Sequence, residues 1–181
     1  MFTSSLRCGF VSSASSGNRA AGYTAANFWR GDAANLGGWR AVFRFGISDA
    51  ATVANANMFC GMSAASTVGS GSTEPSAALN IIGVGYDSTE SVFSIMHNDG
   101  SGTATKVSLG ANFPTQTLST DVYELALYAP PNGSTVDYLV TRRNTGHTSA
   151  GSISTNLPAA TQLMLALMMR GNMSTALAVG L

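Results

Sequence analysis

Nine carboxylates, Asp32, Asp49, Glu74, Asp87, Glu90, Asp99, Asp121, Glu124 and Asp137, carry most of this chain's capacity for acid–base chemistry. Glycoside cleavage would need two of them facing each other across a cleft at a fixed separation. Most fall at predicted turns or strand ends, and Asp121 and Glu124, three apart on a predicted strand, point to opposite faces. The reading is therefore non-enzymatic, with a glycan hydrolase as the alternative, and no catalytic residue is assigned. His97 and His147 are the only histidines, and with Cys8 and Cys60 they give no spacing that suits zinc, so neither metal nor cofactor is expected. No Gly-x-Ser-x-Gly elbow occurs between strand and helix patterns, and Gly83-Val84-Gly85 lies inside an apolar run with no helix after it. Those glycines read as aids to close packing.

Sugar binding asks for less, namely an aromatic face beside hydrogen-bonding side chains. The candidates are Trp29 with Arg30 and Asp32, Tyr86 with Asp87, and Tyr128 beside Pro130. The strand-end run His97-Asn98-Asp99 adds an imidazole and a carboxylate that one ligand could share. For each of these, core packing or a hairpin corner is the competing explanation.

The elements that must position these residues are read from composition and pattern. Charged residues make up 10% of the 181 positions, against about 25% in an ordinary globular domain. Nine Lys plus Arg balance nine Asp plus Glu, and Lys106 is the only lysine. Nothing forms a basic footprint for nucleic acid or an anionic membrane. The chain also lacks an apolar span of about 20 residues. Its first residues show no signal-peptide core, so synthesis in a reducing cytoplasm is expected, with Cys8 and Cys60 as two half-buried thiols. Residues 1–181 read as one domain whose last apolar run resembles an incomplete strand.

Short runs of period-two alternation separated by Gly, Pro, Asn and Ser predict antiparallel strands. In 38–48, Trp39, Ala41, Phe43, Phe45 and Ile47 share one face, with Arg40, Arg44 and Ser48 on the other. Two hairpins carry their turn chemistry openly. One joins 92–97 to 103–109 through Asn98-Asp99-Gly100-Ser101-Gly102. The other joins 123–128 to 135–143 through Pro130-Pro131-Asn132-Gly133, where proline presets φ and Asn-Gly accepts positive φ. Further strands are predicted at 6–11, 25–30, 58–62, 79–86, 148–154 and 176–181, and 63–77 is expected to be the most mobile loop. So many short strands predict an all-β antiparallel sandwich. Only 156–171 dissents, with a cap candidate, an early proline, strong helix formers and a closing glycine.

The runs Phe28-Trp29-Arg30-Gly31, Gly37 to Ala51, Met58 to Met62, Glu74-Pro75-Ser76, Asn80 to Gly85, His97-Asn98-Asp99, Asp121 to Leu125, Tyr128 to Gly133 and Thr141 to Thr145 together resemble modules of bacteriophage tail-fibre and related virion-appendage proteins. This resemblance implies a jelly-roll β-sandwich of concanavalin-like, lectin-like type, assembled as a homotrimer with other virion proteins. Its loops would contact host surface polysaccharide. The resemblance also places a strand across 161–170, where local propensity favours helix. On this reading the chain is a structural and host-attachment module of a fibre, located in the virion. The alternatives are a purely structural capsid, collar or decoration protein, and a sugar-binding domain associated with a polysaccharide depolymerase.

Overall fold

A computed structural model describes residues 8–25, 37–69, 73–116, 119–173 and 177–181. Among the described residues, ten strands run β1 (Arg19–Tyr23), β2 (Trp39–Phe45), β3 (Ala56–Ser63), β4 (Ile81–Tyr86), β5 (Ser94–Asn98), β6 (Thr105–Ser108), β7 (Tyr123–Ala129), β8 (Val136–Arg142), β9 (His147–Ile153) and β10 (Leu165–Asn172). They form a six-stranded sheet in the order β1-β10-β3-β4-β5-β6 and a four-stranded sheet in the order β2-β7-β8-β9, and every pairing is antiparallel. The expected two-sheet sandwich is therefore present.

Alternation explains the core between the sheets. Trp39, Phe43 and Phe45 of β2 and Tyr123, Leu125 and Leu127 of β7 meet Met58, Cys60 and Met62 of β3 and Ile82, Val84 and Tyr86 of β4. The rings of Phe45, Tyr86, Phe93 and Tyr123 pack edge-on or stacked, with centroids 5.0–6.0 Å apart. Gly61 and Gly83 lie opposite each other in the β3–β4 ladder. A Cβ on Gly83 would stand 2.4 Å from the Cys60 carbonyl oxygen, so only glycine permits this approach.

A second apolar cluster covers the outer face of the six-stranded sheet. Phe59, Ile81, Met96, Leu167 and Met169 pack there against Val68 and Ala78. The loop expected to be mobile is thus a packed flap wherever it is described. Val68 and Pro75 are buried, residues 75–77 form a 3-10 turn, and the Ala64 and Ala104 amides donate to Asn80 and Ser76. A sheet face exposed to water would need covering, and Val68 and Pro75 supply apolar surface inside an otherwise polar loop.

Strand β10 resolves the helix-prone segment. It lies between β1 and β3 and has apolar contacts on both faces, which yields a continuous apolar run without alternation. Pairing on both sides overrides the propensity of Leu, Met and Ala. Strand β1 was not anticipated, while the described parts of 6–11 and 176–181 run antiparallel to each other: Phe10 exchanges both backbone hydrogen bonds with Leu181, Val11 bridges Gly180 and the Ser12 amide donates to Val179. The strand expected at 25–30 lies, beyond Ala25, outside the described residues.

Candidate functional site

The sequence-derived candidates do not converge on one place. Trp29 and Arg30 lie outside the described residues. Tyr86 is fully buried, and its hydroxyl accepts a hydrogen bond from Arg170 Nη1. Its ring cannot meet a sugar, which corrects that expectation. Burial raises the Tyr86 hydroxyl pKa, against the charge and hydrogen bond of Arg170, while the Asp49 carboxylate adds to the rise. Asp49 accepts from Arg170 Nε at 3.0 Å and Nη2 at 2.5 Å, and from the Gly180 amide at 2.6 Å. This buried group ties the loop before β3, strand β10 and the 177–181 segment together.

Asp87 belongs to a polar network at one end of the six-stranded sheet. Lys106 Nζ donates to Asp87 at 2.5 Å and to Glu90 at 2.8 Å, while Ser76 donates its hydroxyl to Asp87 at 2.5 Å. Glu74 accepts from the Ser88 amide at 3.0 Å and from Asn57 Nδ2 at 3.1 Å. Desolvation would lower the Lys106 amine, but hydrogen bonds and the charges of Asp87 and Glu90 outweigh it and hold the pKa above its ordinary value. The lysine thus offsets part of the cluster's negative charge from within. Among the described residues no group of three or more His, Cys, Asp and Glu side chains is placed to hold a metal.

The His97-Asn98-Asp99 run is a hairpin corner secured by Asn156. His97 is buried with Nδ1 3.0 Å from the Asn156 carbonyl oxygen, and the Asn156 amide side chain donates to His97 O and Thr105 Oγ1. Asn98 accepts from the Asn80 and Gly100 amides and donates to Ser101 O. Asp99 is exposed, and its carboxylate holds the Ser101 amide and hydroxyl. His97 is buried with Nδ1 engaged and Asn98 is buried with its amide group spent inside the turn, so the run does not present imidazole, amide and carboxylate together to one ligand; shared ligation by this run is corrected.

Tyr128 differs, being 44% exposed on the outer face of the four-stranded sheet. The register sets Arg40 of β2 opposite Tyr128 and Asp137 of β8 opposite it on the other side. Directly opposed residues in an antiparallel pair have Cβ atoms about 4.5–5.5 Å apart, within reach of one ligand. Arg40 and Asp137 are exposed, and neither forms an ion pair among the described residues. The next rows along the face are Val42, Ala126, Leu139 and Ala150, then Arg44, Glu124, Thr141 and Thr148. In the last row Arg44 is already paired with Glu124 at 2.6 Å. Beside β2 a cleft of about 200 Å³ opens between the sheets, with Trp39 to Phe43 as one wall and Thr24, Met62 and Ala166 opposite.

Arg40 and Asp137 were missed by sequence reasoning, and only one was within its reach. Asn132-Gly133 at the centre of the β7–β8 turn implies that Tyr128 faces Asp137, because both stand equally far from it. Arg40, 88 positions before Tyr128, gives no such local signal.

Asp121 and Glu124 do point apart. Asp121 is buried with Arg142 Nη2 at 2.6 Å, and the Tyr123 hydroxyl donates to it at 3.2 Å, whereas Glu124 faces outward. The thiols are not alike: Cys8 is exposed and Cys60 fully buried, with burial raising the Cys60 pKa well above its ordinary value. A thiol reagent at pH 8 is therefore expected to label one cysteine per native chain and two after unfolding, as mass spectrometry would count.

No protein-family model matches the sequence, and no curated protein does. Solved structures match it in fold. Lectin II from Ulex europaeus superposes with a TM-score of 0.55 at 13% identity, over 92% of this chain and 80% of that one. The Lotus tetragonolobus seed lectin gives 0.54 at 10% identity, over 92% and 82%. Peanut lectin with a nine-residue peptide gives 0.52 at 15% identity, over 91% and 77%. The architecture is the antiparallel two-sheet jelly roll of these legume lectins.

Proposed function

We propose that the chain is a glycan-binding attachment module whose contact surface is the outer face of the four-stranded sheet around Tyr128. The observation that carries this reading is the in-register trio of an exposed aromatic ring between a guanidinium and a carboxylate that are both exposed and, among the described residues, without an ion-pair partner. The carboxylate accepts from vicinal sugar hydroxyls, the guanidinium donates to ring or acidic oxygens, and the tyrosine ring covers the apolar face of a pyranose. Tyrosine and arginine are among the side chains that dominate binding energy at protein–protein interfaces, and the trio presents one of each. The lectin-like fold supports the reading, since a lectin of this architecture has been solved in complex with galactose.

The proposed setting is a bacteriophage fibre or related virion appendage, made in the host cytoplasm and presented to host surface polysaccharide. What supports this setting is the ordered run of motifs from Phe28 to Thr145.

The test is titration of the protein with host surface oligosaccharides and with a glycan array. Tyr128→Ala is expected to weaken binding at least tenfold, a loss of about 1.4 kcal/mol. Asp137→Asn should weaken it too, while Tyr23→Ala, at a second exposed tyrosine on the other sheet, should not. Binding that survives Tyr128→Ala would remove this face from consideration, and absence of any glycan binding would favour a purely structural role.

A further inference from the structure

The two sheets end in four strand edges, and three of these are protected. Strand β1 has five residues and carries Arg19, β6 has four and carries Lys106, and β2 carries Arg40 and Arg44. Strand β9 is the exception. It runs seven residues, His147–Ile153, without Lys, Arg, Asp, Glu or Pro. All seven pair with β8 in unbroken register, so no bulge twists the edge away. Among the described residues nothing pairs with its other side, and most of its length is exposed. An uncharged, regular edge of this kind is a template for another strand, which proteins ordinarily blunt with charge, proline, bulges or shortness.

We propose that β9 is an assembly edge occupied by β9 of a second copy, antiparallel across a two-fold axis at Ala150. About that axis Ala150 meets its own counterpart, Ser149 meets Gly151, Thr148 meets Ser152 and His147 meets Ile153. Every opposed pair is free of like carboxylates or guanidinium groups and, at the centre, of bulk. Such an isologous contact closes on itself at two copies. The chain's zero formal charge imposes no long-range repulsion between copies.

The result is a continuous eight-stranded sheet, in which the apolar row Val42, Ala126, Leu139 and Ala150 runs on into the same row of the second copy. It is a pair, not the homotrimer that the fibre resemblance implies. An axis normal to the sheet points both outer faces the same way, with the two Tyr128 columns about 24 Å apart across the strands at about 4.8 Å per strand. If the glycan reading above holds, the pair is bivalent toward one surface; the pairing itself does not depend on that reading.

Native mass spectrometry and light scattering at 1–100 μM test the proposal. The parent is expected at twice 18.5 kDa. Ala150→Lys and Ala150→Glu, each setting like charges across the axis at an exposed position, should weaken pairing at least tenfold with unchanged circular dichroism. Their equimolar mixture should restore it as a heterodimer. A parent that is monomeric throughout, or trimeric, overturns the proposal. So does a dimer indifferent to Ala150→Lys, or a mixture that stays monomeric.

Discussion

Replacing Asp49 with alanine is expected to lower folding stability by about 3–5 kcal/mol, the usual consequence of leaving one member of a buried ion pair uncompensated. The Arg170 side chain is fully buried, and both its Nε and Nη2 donate to the Asp49 carboxylate. Without that carboxylate the guanidinium keeps, among the described residues, only the Tyr86 hydroxyl as a hydrogen-bond partner, and the Gly180 amide loses its acceptor as well. In a chain of this length such a loss lowers Tm by on the order of 10 °C or more. Asp49→Asn retains an acceptor for Gly180 and should fall between parent and Asp49→Ala. Because desolvation offsets much of a buried pair's attraction, the double change Asp49→Leu with Arg170→Met should be less damaging than either single change. Thermal unfolding of the parent, Asp49→Leu, Arg170→Met and the double variant decides this, and a double variant whose loss equals the sum of the two singles would refute the coupling.

Gly83→Val is expected to be of comparable severity for a different reason. The first added carbon would lie 2.4 Å from the Cys60 carbonyl oxygen and 2.8 Å from the Gly61 Cα, which are backbone atoms of the neighbouring strand. They can move only by separating β3 from β4 at the centre of the six-stranded sheet. Overpacking in a core costs about 1–3 kcal/mol when side chains can yield. Here the obstacle is backbone, so about 3 kcal/mol or more is expected, read as a fall in Tm or in soluble yield. Gly9→Ala, where an added Cβ meets nothing within 4 Å, is the control and should leave Tm within about 2 °C. A Gly83→Val protein that melts with the parent would show that the close approach is not required.

The all-β character and both turn-marked hairpins were legible in the residues, because alternation and turn chemistry are local. Asn132 adopts φ 55 and Gly100 φ 101, the left-handed conformations that Asn-Gly and Asp-Gly announce. Trp39, Phe43, Phe45 and Ile47 are buried on the face their spacing assigned to the core. Strand β10 was not legible from propensity, because a strand buried on both faces shows the same apolar density as a buried helix. Nor was the role of 63–77, since its polar composition disguises the few apolar side chains that seal the second core.

Candidate site residues divide along the same line. Their chemical types were apparent, but their availability was not. Tyr86 and Tyr128 each close or nearly close a strand in similar local sequence, yet one is sealed under Arg170 and the other is open to solvent. Side-chain alternation says which residues share a face; it does not say which face a second sheet will cover. By itself, then, the sequence determined most of the strands and the two marked turns, and through Asn132-Gly133 it held the Tyr128–Asp137 register, but it announced neither β1 nor the strand state of 165–172. Only the tertiary structure decided that Arg40 joins them, that Lys106 closes its own acidic cluster, and that β9 is the edge left without charge. Each of these depends on strand pairings that no local periodicity encodes.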